Sequence, residues 1–257
     1  MPKTIVHNLT NKVVVITGAT SGNGEALVYK FLAAGAKVHA VGRNKEKLWK
    51  LQDLGVIAHR ADFSSLSDIR TLVSALPDKI DMLFHMAGNA ITGNDEDRVL
   101  EFWISDFTGP MLFLNTIRPR MAGGSVVAIN TSASVGMGKI PSMHQYQLCK
   151  MEMVNWWWSV RNDWATSGIH MMLISMGVVD TAIWDRTDGM GTAIKTWVKL
   201  FAPKPGECVD TVISDALGKE LVSYPGLWAK LVPIVDGKPC PKPSHKFVAT
   251  LVARMVT

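Results

Sequence analysis

The chain has 257 residues and a mass of 28.1 kDa, with 47% hydrophobic and 19% charged residues, a composition that builds a core and excludes a disordered or low-complexity chain. No apolar run reaches the roughly 18–20 residues a membrane-spanning helix needs, and residues 1–11 lack the pattern of a secretory signal. A net charge of +5 with scattered basic residues gives no nucleic-acid footprint, and the widely spaced Cys149, Cys208 and Cys240 suit a reducing, cytoplasmic setting and neither a disulfide framework nor a zinc site.

In chain order, residues 12–17 (KVVVIT) are a β-branched run that predicts a buried parallel strand. Residues 23–34 set Leu27, Val28, Phe31 and Leu32 at helical spacing, and Gly35 stops that helix. A second strand is expected at 37–41, a helix capped by Asn44 at 44–54, a third strand at 56–61, a helix at 65–76 and a fourth strand at 80–85. Residues 95–118 read as helical with an interruption at Gly109-Pro110. A fifth strand at 125–130, a long helix at 142–167 and a sixth strand at 169–175 follow. Beyond Ala202 repeated prolines predict irregular chain, with a short last strand at 220–224. Alternating strands and helices without a linker or repeat predict one α/β domain over 1–257, a doubly wound parallel sheet with helices on both faces. Residues 182–202 are expected to form a substrate lid and 225–257 an irregular C-terminal extension.

The first strand runs into Thr17-Gly18-Ala19-Thr20-Ser21-Gly22-Asn23-Gly24. Gly18 permits a tight turn, Gly22 lets a phosphate approach the backbone, and Gly24 lets the helix pack close to the sheet. Unpaired N–H groups at the helix start favour a pyrophosphate. A glycine turn between strand and helix at the head of such a chain is the Rossmann-like arrangement for a dinucleotide. The second strand ends in Val41-Gly42-Arg43-Asn44. No carboxylate stands there to accept from a ribose 2′-OH, whereas a guanidinium pairs well with a 2′-phosphate. Ser21 and Asn44 add neutral donors, so NADP(H) is expected over NAD(H).

The TGxxxGxG spacing resembles the short-chain dehydrogenase/reductase family, and further matches occur in that family's order over 17–181. Asp62-Phe63 stands where the family places an adenine-contacting Asp. His85-Met86-Ala87-Gly88 stands for its usual Asn-Asn-Ala-Gly. Tyr146 and Lys150 match YxxxK, and Met176-Gly177-Val178-Val179-Asp180-Thr181 matches PGxVxT with Met for Pro. The resemblance implies cofactor contacts from Gly18, Thr20, Ser21, Gly22, Asn23, Gly24, Arg43, Asn44, Asp62, Phe63, Ala87, Gly88, Tyr146, Lys150, Gly177, Val179 and Thr181.

Reduction of a ketone needs a proton donor at oxygen while hydride reaches carbon. Tyr146 is the candidate donor, and Lys150, one helical turn on, favours the phenolate by its positive charge. In the family a serine after the fifth strand holds the substrate oxygen, but counting from either side lands on Ala133, between Ser132 and Ser134. On a regular strand those serines would face away from the Ala133 side; a bulge would bring one into place, with Ser134 preferred. Asp106 replaces a family Asn that holds a proton-relaying water; it could still bind that water, as an acceptor only when ionised, and its negative charge would favour a charged Lys150. His85 reads as support for its turn.

Met137, Met143, His144, Ile183, Trp184, Met190, Ile194, Trp197, Val198 and Phe201 predict an apolar pocket for a lipophilic carbonyl or alcohol, with Met137, His144 and Trp184 as its candidate contacts. Three consecutive tryptophans, 156–158, cannot share one helix face, so an exposed one is expected, covered in a homodimer or homotetramer. An apolar stripe from Phe247 to Met255 would serve as lid, subunit interface or membrane contact. The resulting expectation is an NADPH-dependent carbonyl reductase or alcohol dehydrogenase. A non-redox isomerase or cyclase that keeps the nucleotide is the alternative.

Overall fold

Strand β1 (Val13–Thr17) lies at the centre of the sheet because both of its faces are apolar: Val14 and Ile16 enter one core cluster and Val15 the other. The computed structural model describes residues 8–92, 95–121, 123–136, 143–186, 192–226, 229–231, 234–235 and 238–239. Beside β1 run β2 (Lys37–Gly42), β3 (Ile57–Arg60), β4 (Met82–His85), β5 (Val126–Ser132), β6 (His170–Met176) and the two-residue β7 (Val222–Ser223). All pairs are parallel, in the order β3-β2-β1-β4-β5-β6-β7. The winding reverses between β1 and β4, as the alternating pattern predicts.

Helix α1 (Gly22–Ala33) lays Leu27, Val28 and Phe31 on the first face, together with α2 (Lys45–Gln52) and with α9 (Pro205–Leu217), which follows the short α7 (Ile183–Arg186) and α8 (Thr192–Phe201). Asn44 caps α2 by accepting from the Lys47 N–H at 2.9 Å. The second face is covered by α3 (Leu66–Ala75), α5 (Gly109–Ile117) and α6 (His144–Thr166). Complete burial of a side chain such as Phe31 contributes about 1.5–3 kcal/mol.

Three features depart from expectation. Gly109-Pro110 does not interrupt the helical stretch. α4 (Glu96–Trp103) continues through a wide π turn over Ile104–Thr108 into α5, and the Gly109 N–H donates to the Ile104 carbonyl five residues back. Pro110 has no N–H and its ring would crowd the carbonyl four residues back, so the turn widens ahead of it. Beyond Ala202 the chain is more regular than its prolines suggest, because Pro205 sits in the first turn of α9, where no N–H is needed. After β7 come a short turn at Ala229–Leu231 and an antiparallel pairing of β8 (Ile234–Val235) with β9 (Lys238–Pro239). Lastly, none of the three tryptophans is exposed: Trp157 is fully buried, while Trp156 meets the edge of Trp164 and Arg161 lies 3.8 Å from the Trp158 ring. Met137, Met190, Cys240 and the Phe247–Met255 stripe lie outside the described residues, as does the Ile194 side chain.

Candidate active site

The turns after β1, β4, β5 and β6 meet at the carboxyl edge of the sheet and enclose a cleft of about 490 Å³. At one end the glycine turn is shaped by contact. Gly18 has φ +66°, and a Cβ there would come within 2.7 Å of the Ala87 nitrogen. A Cβ on Gly24 would lie 2.2 Å from the Gly18 carbonyl oxygen. Ser21, Gly22 and Asn23 line the cleft at the start of α1, and the Ser21 side chain caps none of that helix's N–H groups. The Oδ1 atoms of Asn23 and of Asn130 are buried in the cleft with no partner among the described residues. Buried acceptors are rarely left unpaired. The cradle, the open helix start and these two oxygens fit a polar ligand such as a dinucleotide.

Arg43 also lines this cleft. Its Nη2 donates to Asn89 Oδ1 at 3.1 Å, and its Nη1 lies 3.5 Å from Asp62 Oδ2. Burial would raise the Asp62 carboxyl, but hydrogen bonds from Ser64 and the Arg43 charge outweigh it and hold the group below the usual carboxylate range. Several predicted contacts are engaged elsewhere. Thr20 packs its methyl against Gly42 and its carbonyl accepts from Lys47 Nζ at 2.9 Å. The Asn44 side chain is used by the cap of α2. Phe63 is buried edge-on to Phe113 and His85. Ala87 donates its N–H to Thr17 Oγ1 at 3.1 Å, and Thr17 Oγ1 is 2.9 Å from His85 Nδ1. Burial, reinforced by the nearby Lys150 charge, pushes His85 down to about 3. The ring is therefore neutral, and its Nδ1 shares a hydrogen bond with Thr17 Oγ1, which supports the turn that carries Ala87 and Gly88.

At the cleft's centre stand Tyr146 and Lys150, one turn apart on α6, with Gly177, Val179 and Thr181 from the segment after β6. Lys150 Nζ donates to Asp106 Oδ1 at 3.0 Å, and both groups are buried. Asp106 sits in the π turn, one consequence of Pro110. Its two oxygens also accept from the Asn89 N–H at 2.7 Å, Asn89 Nδ2 at 3.0 Å and Ser105 Oγ at 2.9 Å, so all four lone-pair directions are taken. Burial alone would push Lys150 toward the neutral amine. The Asp106 carboxylate, with smaller pulls from Tyr146 and Cys149, instead holds its ammonium above the ordinary lysine range. Gly88 leaves room for the pair, since a Cβ there would stand 3.1 Å from Lys150 Nζ.

The serines converge. β5 ends at Ser132 and the chain winds into a tight turn over Ala133–Gly136, so Ser132 Oγ and Ser134 Oγ lie 2.8 Å apart and both line the cleft, while Ala133 is buried. Gln147 Nε2 donates to the Ser134 carbonyl at 2.7 Å and fixes this turn against α6. The far wall is apolar, with Ile91, Phe102, Met143, Trp184, Trp197 and Val198. Trp184 is oriented by its Nε1, which donates to the Val179 carbonyl at 2.7 Å. His144 is exposed at the start of α6, outside the cleft, and Phe201 is 64% exposed. Asn89 and the α4 residues Phe102 and Arg98 carry no motif, and their place in the cleft is a product of the fold.

A ligand cleft at the point where a parallel sheet reverses its winding defines a doubly wound α/β protein of the nucleotide-binding type. The chain belongs to the short-chain dehydrogenase family, a family of oxidoreductases: the family profile, described as short chain dehydrogenase, matches residues 12–190. It is 29% identical over 191 residues to 2-(R)-hydroxypropyl-CoM dehydrogenase of Xanthobacter autotrophicus, covering 66% of this chain and 76% of that protein. Among solved structures, a short-chain dehydrogenase from Sphingobium yanoikuyae in complex with NADPH superposes with a TM-score of 0.72 at 24% identity, over 82% of this chain and 87% of that one. A short-chain dehydrogenase/reductase from Burkholderia phymatum in complex with NAD gives 0.73 at 19% identity, over 84% and 89%.

Proposed function

We propose that this protein is an NADPH-dependent carbonyl reductase or alcohol dehydrogenase for an apolar or aromatic ketone or alcohol. One observation carries the reading: Tyr146 and Lys150 share a single cleft with the glycine turn at one end and an apolar wall at the other. The relatives with solved complexes bind NADPH in one case and NAD in another, which supports a nicotinamide cofactor. The choice of NADPH rests on Arg43, with no acid at Gly42 to oppose a 2′-phosphate.

Gly18, Ser21, Gly22, Asn23 and Gly24 would hold the pyrophosphate. Gly177, Val179 and Thr181 would flank the nicotinamide, which supplies or accepts the hydride when bound. Tyr146 gives its proton to the carbonyl oxygen, or takes it from an alcohol. The Lys150 ammonium favours the phenolate that results, and Asp106 fixes that ammonium in place. Ser134 or Ser132 donates to the substrate oxygen. The apolar wall excludes water and selects lipophilic substrates. A homodimer or homotetramer in a reducing cytoplasmic setting completes the reading; the two described cysteines, Cys149 and Cys208, are free and buried.

The test is NADPH consumption with a panel of lipophilic ketones. Tyr146→Phe should lower kcat by about 10²–10⁴-fold while NADPH still binds, and Arg43→Ala should weaken NADPH far more than NADH. An unchanged rate in Tyr146→Phe removes the proposed acid. Asp106 and Ala133, which depart from the family pattern, favour one second reading, a non-redox isomerase or cyclase, which would form product without oxidising cofactor.

A further inference from the structure

The Asn89 side chain is used at both ends. Its Nδ2 donates to Asp106 Oδ2 at 3.0 Å, and its backbone N–H donates to Asp106 Oδ1 at 2.7 Å. Asp106 is buried and held in turn by Lys150, so Asn89 cannot rotate without breaking the ion pair's surroundings. With the NH₂ end fixed on a carboxylate, the carbonyl end has to point away from it, and there it accepts from Arg43 Nη2 at 3.1 Å. Arg43 and Asn89 both line the cleft. Among the described residues the other group facing the guanidinium is Asp62, with Oδ2 at 3.5 Å; Arg43 is half exposed, so solvent weakens this attraction and the Asn89 bond alike.

We infer that Asn89 is a specificity-tuning residue that competes with the cofactor's 2′-phosphate for the Arg43 guanidinium. This rests on the reading of Arg43 as the phosphate-binding residue. In the free protein Arg43 is tied to a rigid neutral acceptor. A 2′-phosphate draws it off by offering two charged oxygens; a 2′-hydroxyl has nothing comparable and leaves the tie in place. The site therefore binds the phosphorylated dinucleotide less tightly than its guanidinium would permit. Selectivity is set at Asn89 as well as at Arg43.

The experiment measures dissociation constants of NADPH and NADH by calorimetry, with 2′,5′-ADP and 5′-ADP as fragment probes, for the wild type, Arg43→Ala, Asn89→Ala and the double variant. Asn89→Ala keeps its backbone bond to Asp106 but withdraws both the acceptor for Arg43 and the Nδ2 donor to Asp106; the second loss falls on NADPH and NADH alike, so the readout is the ratio of their dissociation constants. The variant should tighten NADPH relative to NADH, and 2′,5′-ADP relative to 5′-ADP, by about twofold to tenfold, the worth of one ordinary hydrogen bond. In the Arg43→Ala background the same change should leave those ratios where they are. Asn89→Ser, which also removes the amide but leaves a small polar side chain in the cleft, gives the same comparison if the alanine variant does not fold. An unchanged ratio of NADPH to NADH affinity in Asn89→Ala overturns the competition. Arg43→Ala weakening NADPH no more than NADH overturns the underlying assignment of Arg43 instead.

Discussion

Asp106 sets the electrostatics of the candidate site. A buried lysine with no partner would shed its charge; here a carboxylate at 3.0 Å keeps the ammonium, and three further donors keep the carboxylate. Removing one side of such a pair leaves the other uncompensated. Asp106→Ala should therefore cost about 3–5 kcal/mol of stability in urea denaturation, whereas Asp106→Asn, which keeps an acceptor for Lys150, should cost clearly less. Equal midpoints for the wild type and the alanine variant would mean that the pair contributes nothing. How far the sequence showed this differs from residue to residue. Tyr146 and Lys150 were legible as a YxxxK pair that resembles the family's, its four-residue spacing putting both on one helix face. The direct grip of Asp106 on Lys150 was not, since it depends on a π turn. The serines were left open on paper, with Ser134 preferred if a bulge intervened, because a regular strand through Ala133 would turn both away; the strand ends at Ser132, and the tight turn brings both hydroxyls to one place. Asn89 had no signal at all, because its role comes from two partners 17 and 46 residues away in sequence.

Whole elements were easier to read than single side chains. A parallel strand covered on both faces must be apolar along its length, so β1, β4, β5 and β6 stand out as runs in the sequence. The edge strand β7 pairs over only two residues and leaves almost no pattern. Prolines misled in both helical regions, for the same reason: their cost depends on position within a helix. The α4–α5 stretch shows what Gly109 is for. A Cβ there would lie 1.9 Å from the Phe63 carbonyl oxygen, so this helix can approach the loop after β3 only without a side chain. Gly109→Ala has to push the helix or that loop aside, and a backbone atom cannot rotate away as a side chain would. We expect a loss of about 1–3 kcal/mol, seen as a fall in Tm of roughly 2–4 °C per kcal/mol. Because the same helix carries Asp106, weaker cofactor turnover should accompany it. A variant with the wild-type Tm would show that the approach is looser than the backbone indicates.

For the molecule as a whole, the sheet's own histidines set its behaviour in acid. His39 on β2 and His59 on β3 stack with rings 5.3 Å apart and share a contact of 3.0 Å between His39 Nδ1 and His59 Nε2, a distance at which only one proton fits between them. Burial, then the charge of His59 and of Lys37, takes His39 down to about 4; burial lowers His59 as well, and His85 falls to about 3. In the unfolded chain these groups titrate near 6.5. Between the two values the unfolded state binds more protons, so stability rises with pH there. The native state keeps its full advantage above about pH 7 and loses it as the pH falls from 6.5 through 4. His39 alone accounts for a loss on the order of 3 kcal/mol by pH 4. Asp62 and Asp81, both held below the usual carboxylate range, extend the loss to still lower pH, since their protonation favours the unfolded chain. Thermal unfolding followed by circular dichroism should thus give a level Tm from pH 8 to 7 and a steady fall from 6.5 to 4.5. His85→Asn should make that fall shallower: an amide can still hydrogen-bond Thr17, but it takes up no proton on unfolding. A Tm that stays level down to pH 4.5 would show that the buried rings are not held neutral by the fold.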